Sequence, residues 1–311
     1  MPLRIGLVGC GHMGRIHLEK LKTFDEIEIA GIVDINHKVV ENLSKVYSIP
    51  FFTNYRDLIA LTDGVIIAAP TINHYEIAKA FLEHGSHVFI EKPITLHAKE
   101  AQKLISIAKK NNLLIQIGHL ERFNPVFAMA YSLISEPLFV DTLRIGPFTG
   151  RSTDIDVVLD LMIHDIDLVL SLIKSKIVSI KANGIPFITD KLDIVHARIE
   201  FSNGSVAHLN ASRVSPVKRR MITVFEKKRF YMINLLSGKL SILKKHKGVK
   251  VLIKEYNSKA IDPVKEELLE FIHSIKKGKR SRVTGEDALN TLNVANRIKQ
   301  YIEKRTSHST V

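Results

Sequence analysis

The stretch Leu3–Gly14, LRIGLVGCGHMG, places a short apolar run directly before a G-x-G-x-x-G motif. A run this short and rich in Ile, Leu and Val is typical of a buried strand, and residues 12–22 carry apolar side chains at helical spacing. In this context Gly9 permits a tight turn, Gly11 lets backbone approach a pyrophosphate, and Gly14 lets the helix pack on the strand. The stretch therefore predicts a strand, a phosphate-binding loop and a helix.

An acidic residue follows at the spacing that a dinucleotide site requires. Asp34 comes 20 residues after Gly14 and ends a second predicted strand, where a carboxylate accepts hydrogen bonds from ribose hydroxyls. The same carboxylate would repel a 2′-phosphate, so we predict NAD rather than NADP, although His37 and Lys38 nearby reduce that preference. The spacer residues of the glycine loop are expected to contribute backbone to this site, with no catalytic role for the thiol: Cys10, His12 and Met13.

The order of predicted elements changes near residue 120. Before it, strands alternate with helices, which predicts a parallel, doubly wound sheet. The predicted strands are 3–8, 27–33, 64–69, 87–90 and 113–117, and the predicted helices are 12–22, 36–47, 73–83 and 98–111. We therefore expect an α/β architecture with an N-terminal Rossmann domain over residues 1–120.

Beyond residue 120 the pattern predicts a second, α+β domain over residues 121–311. A helix at 124–134, a strand at 139–145 and a helix at 157–173 come first. Several strands follow in succession between 193 and 256, and Asn203-Gly204 between the first two indicates a two-residue hairpin turn. Helices at 263–276 and 286–304 close the chain, the last expected to pack back on the first domain. The sheet should therefore be open and mostly antiparallel.

Composition and charge narrow the class of protein. With 45% hydrophobic and 25% charged residues among 311, disorder is excluded, and a single cysteine excludes a disulfide scaffold. The first apolar stretch is too short for a signal peptide, and no run approaches the roughly 18 residues of a membrane span, so we expect a cytoplasmic protein. Residues 215–282 hold 19 Lys and Arg against 6 Asp and Glu, an excess equal to the net charge of +13. This basic region is typical of a solvated face, of a surface that attracts an anionic substrate, or of a surface that binds nucleic acid. No recognisable nucleic-acid module accompanies it.

Two segments after predicted strands should border the ligand crevice. Ligands of open α/β sheets bind at the carboxyl ends of the strands. A lysine there can orient a hydroxyl and stabilise negative charge on oxygen, while a surface lysine is the alternative for Lys92. A turn with a helix cap is the alternative for the segment after the predicted strand at 64–69. The candidate residues are Ala69, Pro70, Asn73, His74, Glu91 and Lys92.

A polar stripe marks the predicted helix at 157–173. At about 100° per residue five polar side chains fall on one side of an otherwise apolar helix: Asp156, Asp160, His164, Asp167 and Ser171. Burying acids and an imidazole is costly unless they are paired or functional. A structural network or cap is the alternative to a reactive site. We expect no metal, because Asp165 points away from His164 and no second histidine cluster is present.

Taken in order, these motifs resemble the glucose-fructose oxidoreductase / inositol dehydrogenase / MocA family of nicotinamide-dependent sugar oxidoreductases. The likeness covers almost the whole chain through the glycine loop, Asp34, Glu91-Lys92-Pro93 and Asp160-x-x-x-His164-x-x-Asp167. Met162 stands where the family often has glycine, and this departure weakens the transfer of inositol or disaccharide specificity to this chain. The segments 118–125, 144–148 and 160–167 resemble the subgroup of UDP-N-acetylglucosamine 3-dehydrogenases.

The resemblance implies an enzyme with specific residue roles. Lys92 and His164 become the catalytic pair, with Asp160 as helper. Neutral His164 would take a proton from a substrate hydroxyl while hydride leaves the same carbon for the nicotinamide, because imidazole has an unperturbed pKa of about 6.5. The basic second domain or three arginines would meet the diphosphate: Arg122, Arg144 and Arg151. Arg122 is also expected beside the cofactor.

The resemblance also implies partners and leaves alternatives. It implies a homodimer or homotetramer through the open sheet, and a product that an aminotransferase consumes. Another polyol or sugar dehydrogenase of the same family, acting on an uncharged substrate, is one alternative. A dinucleotide-sensing regulator without catalysis is another, although such proteins tend to lose the lysine and histidine that this chain keeps at positions 92 and 164.

Overall fold

The structure is a computed structural model that describes residues 2–150, 155–245 and 251–308. The chain divides into two units. One is formed by Met1–Phe123 with Asp262–Asn290, and the other by Asn124–Ile261 with Thr291–Val311. A late segment of the chain therefore belongs to the same unit as the glycine loop.

The first unit is built on a six-stranded parallel sheet in the order β3-β2-β1-β4-β5-β6. Its strands are β1 (Leu3–Val8), β2 (Ile27–Val33), β3 (Phe51–Phe52), β4 (Gly64–Ile67), β5 (His87–Glu91) and β6 (Ile115–Gly118). Its helices are α1 (His12–Leu21), α2 (His37–Tyr47), α3 (His74–Glu83), α4 (Ala98–Lys110) and α7 (Pro263–Lys277). The predicted doubly wound sheet is confirmed, with β3 as a strand that the sequence did not indicate.

The strand order places a ligand crevice at the carboxyl end of β1. β1 pairs with β2 on one side and with β4 on the other, so the direction of winding reverses there. Dinucleotides bind outside the sheet at such a reversal. Ile5, Leu7 and Ile66 are fully buried in the strands behind it, as the continuous apolar runs require. The glycine loop and the segments after β4 and β5 all leave the sheet at this edge.

A buried acid lies in α7 of the first unit. Glu267 is 1% exposed, and no donor among the described residues reaches its Oε1. Burial, with added repulsion from Glu91 and Glu270, raises the pKa of Glu267 well above its usual range. Its main-chain carbonyl accepts a 2.8 Å hydrogen bond from Gln116 Nε2 of β6. Because the carboxyl group is buried, its ionised form lowers the stability of the folded chain.

Glu267→Gln is expected to stabilise the protein at neutral pH. An acid whose pKa is raised by folding binds more protons when folded, so the stability of the native chain falls as pH rises above the unfolded value of about 4.3. The amide removes this loss and should add about 1–3 kcal/mol to the free energy of unfolding at pH 8. Denaturant unfolding at several pH values measures it. Exposed Glu266→Gln is the control, and a gain that does not shrink toward pH 4.5 would refute the assignment.

The second unit is built on an eight-stranded sheet in the order β14-β13-β12-β11-β7-β10-β9-β8. Every neighbouring pair is antiparallel except β7 with β10. The strands are β7 (Phe139–Ile145), β8 (Ile177–Ile185), β9 (Ile194–Phe201), β10 (Val206–Ser212), β11 (Arg219–Phe225), β12 (Arg229–Asn234), β13 (Lys239–Lys245) and β14 (Val251–Asn257). The helices are α5 (Pro125–Tyr131), α6 (Ile163–Leu172) and α8 (Gly285–His308), whose first residues belong to the first unit. The predicted mostly antiparallel sheet is confirmed.

The hairpin between β9 and β10 differs from its prediction. Gly204 has φ of +85°, whereas Asn203 is not among the described residues with positive φ. The Phe201 N–H donates to the Ser205 carbonyl and the Gly204 N–H donates to the Phe201 carbonyl, at 2.9 Å each. The connection is therefore a three-residue loop with glycine in the left-handed position, and not a two-residue turn.

One face of this sheet carries a row of apolar side chains. Cross-strand pairing aligns five positions on neighbouring strands: Phe139, Phe225, Phe230, Leu243 and Ile253. Phe139 is 48% and Ile253 is 63% exposed, while Tyr231 and Ile233, which alternate with Phe230 along β12, are buried. The strands thus bury their other face and leave this row accessible.

Candidate active site

The three glycines of the loop after β1 have different surroundings. Gly9 has φ of +95°, and a Cβ placed there would lie 2.6 Å from the Ala68 carbonyl group. A Cβ on Gly14 would lie 1.9 Å from the Gly9 oxygen. A Cβ on Gly11 would meet nothing within 4 Å. The fold itself requires two of the glycines, and the space beside Gly11 is open for a ligand.

The helix that follows offers an uncompensated positive end. α1 begins at His12, its N-cap Gly11 has no capping side chain, and its first turn, which is fully described, contains no acid. The backbone N–H groups of such a turn, including those of His12 and Met13, favour an anion because of their unsatisfied donors and the helix dipole. The residues present therefore fit a dinucleotide pyrophosphate.

Asp34 is fixed beside the glycine loop. Its Oδ2 accepts the Cys10 N–H at 2.8 Å, and its Oδ1 accepts the Asn36 N–H at 2.9 Å. The Cys10 thiol is buried, and burial together with the Asp34 charge raises its pKa to about 12. The carboxylate is thus held at the carboxyl end of β2, while the thiol is unsuited to act as a thiolate nucleophile.

His74, expected beside the cofactor, has a different environment. Its side chain is 1% exposed, and its Nε2 and Nδ1 lie 2.8 Å and 2.9 Å from the carbonyl oxygens of Ala69 and Pro93. Burial lowers the pKa of this imidazole. Asn73 and Pro70 are exposed in the same segment. The ring therefore ties together two loops of the first unit and is not presented to a ligand.

Lys92 lies half-buried in the turn after β5. Its N–H donates to Glu91 Oε2 at 3.2 Å, and the Lys92–Pro93 peptide bond is cis. Glu91 Oε1 lies 2.7 Å from Nε2 of His17, which is fully buried in α1. Burial acts to raise the pKa of Glu91, but His17 and Lys92 outweigh it and the net direction is downward. Glu91 is therefore engaged inside the unit.

The polar stripe predicted over residues 156–171 belongs to the second unit, where some of its side chains are half-buried and the others are buried. Val158–Met162 form a π-helical turn before α6, which shifts the phase of the helix between Asp160 and His164. Those two side chains are half-buried, whereas Asp167 and Ser171 are buried. Asp160 and His164 are therefore the accessible part of the stripe. They lie at a π turn, a feature that is frequent at functional sites.

Asp156 belongs to the structural part of the stripe. Its Oδ1 accepts the Val158 and Leu159 N–H groups at 3.0 and 3.1 Å. Its Oδ2 lies 2.7 Å from Lys299 Nζ. A carboxylate at this place satisfies the first donors of the turn, as helix caps do. The cap that the sequence left open as an alternative therefore accounts for this acid.

The predicted substrate arginines have different placements. Arg144 is 2% exposed, and its Nε and Nη2 donate to Asp165 Oδ1 at 3.0 and 2.8 Å. This buried ion pair argues against a diphosphate contact for Arg144. Arg122 is half-buried in the first unit, and Arg151 lies outside the described residues.

Within 2–150, 155–245 and 251–308, no group of three or more His, Cys, Asp and Glu side chains is arranged to hold a metal ion. No helix in those ranges is long and apolar enough to cross a membrane.

Sequence reasoning missed His17 and Glu267. His17 lies on the buried side of α1 with Gly14, Leu18 and Leu21. A histidine at an apolar position of a helix was the available signal. Its partner Glu91 is 74 residues away, a distance that no local pattern reveals.

Known proteins are similar to this chain over nearly its full length. Two models of the GFO/IDH/MocA family match the chain. The model of the oxidoreductase family with an NAD-binding Rossmann fold matches residues 3–119, and the model of the C-terminal domain matches residues 148–231. UDP-N-acetylglucosamine 3-dehydrogenase from Acidithiobacillus ferrooxidans is 34% identical over 86% of this chain and 85% of that relative. Its crystal structure superposes with a TM-score of 0.93 at 31% identity, covering 98% of this chain and 99% of that one.

More distant relatives share the fold. Myo-inositol 2-dehydrogenase from Thermotoga maritima is 24% identical over 98% of both chains. A levoglucosan dehydrogenase in complex with NADH superposes with a TM-score of 0.88 at 18% identity over 98% of both chains. The sequence identity to the Acidithiobacillus enzyme over most of both chains, together with the two matching domains, shows that this chain belongs to the GFO/IDH/MocA family of oxidoreductases with an NAD-binding Rossmann fold.

Proposed function

We propose that the protein oxidises the C3 hydroxyl of UDP-N-acetylglucosamine to a ketone with NAD as cofactor. The observation that carries the proposal is the 34% identity, over 86% of the chain, to a relative named for that reaction. The open space beside Gly11, the uncapped α1 and the fixed Asp34 support dinucleotide binding. We propose NAD over NADP because a carboxylate at Asp34 would repel a 2′-phosphate.

The proposed chemistry divides between three side chains. His164 takes the proton from the substrate hydroxyl as a general base. Lys92 donates a hydrogen bond to the same oxygen and stabilises its negative charge, and Asp160 orients His164. A dinucleotide held at the glycine loop and Asp34 would supply the hydride acceptor for the substrate carbon. The half-buried positions of these three side chains support the roles, since each is accessible to a ligand on its own unit.

Charge supports an anionic substrate. We propose that Arg122 and the basic residues of 215–282 attract the diphosphate, because opposite charges steer a ligand toward its site. Arg144 is left out because its guanidinium group is bound to Asp165. The expected homodimer or homotetramer stays a prediction, and the apolar row of the eight-stranded sheet is the surface that we propose for it. Coupling to an aminotransferase likewise stays a prediction.

Formation of NADH from NAD and UDP-N-acetylglucosamine tests the function. The reaction is run with and without a glutamate-dependent aminotransferase that converts the ketone to an amine. Mass spectrometry checks for a ketone two hydrogens lighter than the substrate without the aminotransferase, and for the corresponding amine with it. We expect turnover with the nucleotide sugar, and a KM that rises with salt because ionic screening weakens the diphosphate contact.

Free N-acetylglucosamine and myo-inositol serve as comparison substrates. Oxidation of either one in preference to the nucleotide sugar would replace the proposed substrate with an uncharged one. NAD binding without oxidation of any of them would favour a dinucleotide-sensing role.

A further inference from the structure

The turn that carries Lys92 is held on both sides by buried histidines. Glu91, the residue before the lysine, lies against His17 of α1, and Pro93, the residue after it, lies against His74 of α3. All five residues belong to the first unit. Two helices that follow two different strands thus converge on one turn.

The first contact links α1 to the main chain of Lys92 through one carboxylate. His17 Nε2 lies 2.7 Å from Glu91 Oε1, and the Lys92 N–H donates to Glu91 Oε2 at 3.2 Å. The imidazole is fully buried and lies edge-on to Phe89, with ring centroids 5.4 Å apart. A Cβ on Gly118 would come within 3.0 Å of Oε2, so the β6 backbone packs directly against the carboxylate. The carboxylate therefore has little room to move.

The second contact links the turn to the segment after β4. His74 lies 2.9 Å from the Pro93 carbonyl and 2.8 Å from the Ala69 carbonyl. A neutral imidazole has one N–H and donates to one of these oxygens at a time. Because the ring is 1% exposed, its N–H is used inside the protein. The ring thus holds the far side of the lysine turn.

Packing alone does not account for this arrangement. A buried ionisable pair is often no more stabilising than apolar residues of similar volume, because desolvation offsets the attraction. Here the buried pair of His17 and Glu91 contacts a single turn, and that turn carries the proposed catalytic lysine. Catalytic side chains need supporting groups that hold them within a fraction of an ångström.

We propose that His17, through Glu91, and His74, through the Pro93 carbonyl, are positioning residues that fix Lys92 for its contact with the reacting oxygen. The proposal rests on the dehydrogenase function proposed above. It assigns neither imidazole a contact with substrate or cofactor.

His17→Leu and His17→Gln test the first contact. Leucine removes the donor to Glu91, whereas the glutamine amide can replace the Nε2 donor. We expect His17→Leu to lower kcat roughly 10-fold to 10²-fold, with KM and the NAD dissociation constant within about twofold of wild type, and His17→Gln to recover most of kcat. His87→Leu is the matched control, since His87 is a partly buried histidine at the opposite end of β5, where Nδ1 accepts the Leu114 N–H.

Gly118→Ala and His74→Gln supply independent tests. The alanine methyl group pushes the Glu91 carboxylate by a few tenths of an ångström without changing either histidine. It should lower kcat severalfold if the position of the carboxylate matters, and it keeps the proposal testable where His17→Leu fails to fold. His74→Gln retains one amide donor and should lower kcat less than His74→Leu.

Acylation of Lys92 is the readout that does not depend on turnover. A lysine-selective ester is applied, and labelling of the Lys92 peptide is measured by mass spectrometry. We expect His17→Leu to change the labelling rate about threefold or more, because a released turn changes access to the amine, and His87→Leu to leave it unchanged.

The outcomes separate the two proposals. A wild-type protein that oxidises no tested sugar, with altered Lys92 labelling in His17→Leu, overturns the function and keeps the positioning role. Normal kcat per NAD-binding site and normal labelling in a folded His17→Leu overturn the positioning role. A loss of thermal stability alone, equal in His17→Leu and His17→Gln, also overturns it.

Discussion

Gly11→Ala is expected to weaken NAD binding by roughly 10²-fold or more while leaving the fold intact, a loss of about 2.7 kcal/mol of binding free energy. The backbone at Gly11, with φ of −70° and ψ of −157°, suits alanine, and the added methyl group meets nothing within 4 Å of the chain itself. The methyl group instead occupies the space where backbone must approach the pyrophosphate. Titration of NAD by calorimetry measures the affinity, and thermal unfolding of the free protein measures the fold.

Gly14→Ala is the matched control for this prediction. Its methyl group would lie 1.9 Å from the Gly9 oxygen, so we expect a large loss of thermal stability even without ligand. The two alanines thus separate a glycine kept for the ligand from one kept for the fold. Wild-type affinity in Gly11→Ala would mean that the open space beside the loop is not where the dinucleotide lies.

The parallel half of the fold could be predicted closely from sequence. Leu3–Val8 and Ile27–Val33 have the same bounds in the prediction and in the structure. Strands buried on both faces are continuous apolar runs, and turn residues mark their ends. Phe51–Phe52 was missed because two residues are too few to show any period.

The features that sequence could not predict depend on contacts far along the chain or on a change of helical geometry. The carboxylate of Asp34 accepts the Cys10 N–H from 24 residues away, and a motif predicts only the spacing of the two. The polar stripe assumed a constant 100° per residue, which the π turn at Val158–Met162 breaks. Arg144 was expected to contact the diphosphate, and its buried ion pair depends on Asp165 of α6, a partner 21 residues away that no local pattern indicates.

His164→Ala is expected to lower kcat for sugar oxidation by roughly 10²-fold or more, because the substrate hydroxyl loses its general base. NAD affinity should stay within about twofold of wild type, since the glycine loop and Asp34 belong to the other unit. Added imidazole should restore part of the lost turnover, because a small base can enter the space that the side chain leaves. Steady-state kinetics with and without imidazole measure both effects.

Lys92→Met and His196→Ala complete this test. Lys92→Met should lower kcat by a similar factor without rescue by imidazole, because the missing group is a hydrogen-bond donor to the oxygen and not a base. His196 is an exposed histidine of β9 in the same unit as His164, so its alanine variant should be fully active. Unchanged turnover in His164→Ala would remove the general base from the proposed chemistry. Rescue of both His164→Ala and Lys92→Met by imidazole would instead mean that the proton leaves the substrate by a route that depends on neither side chain.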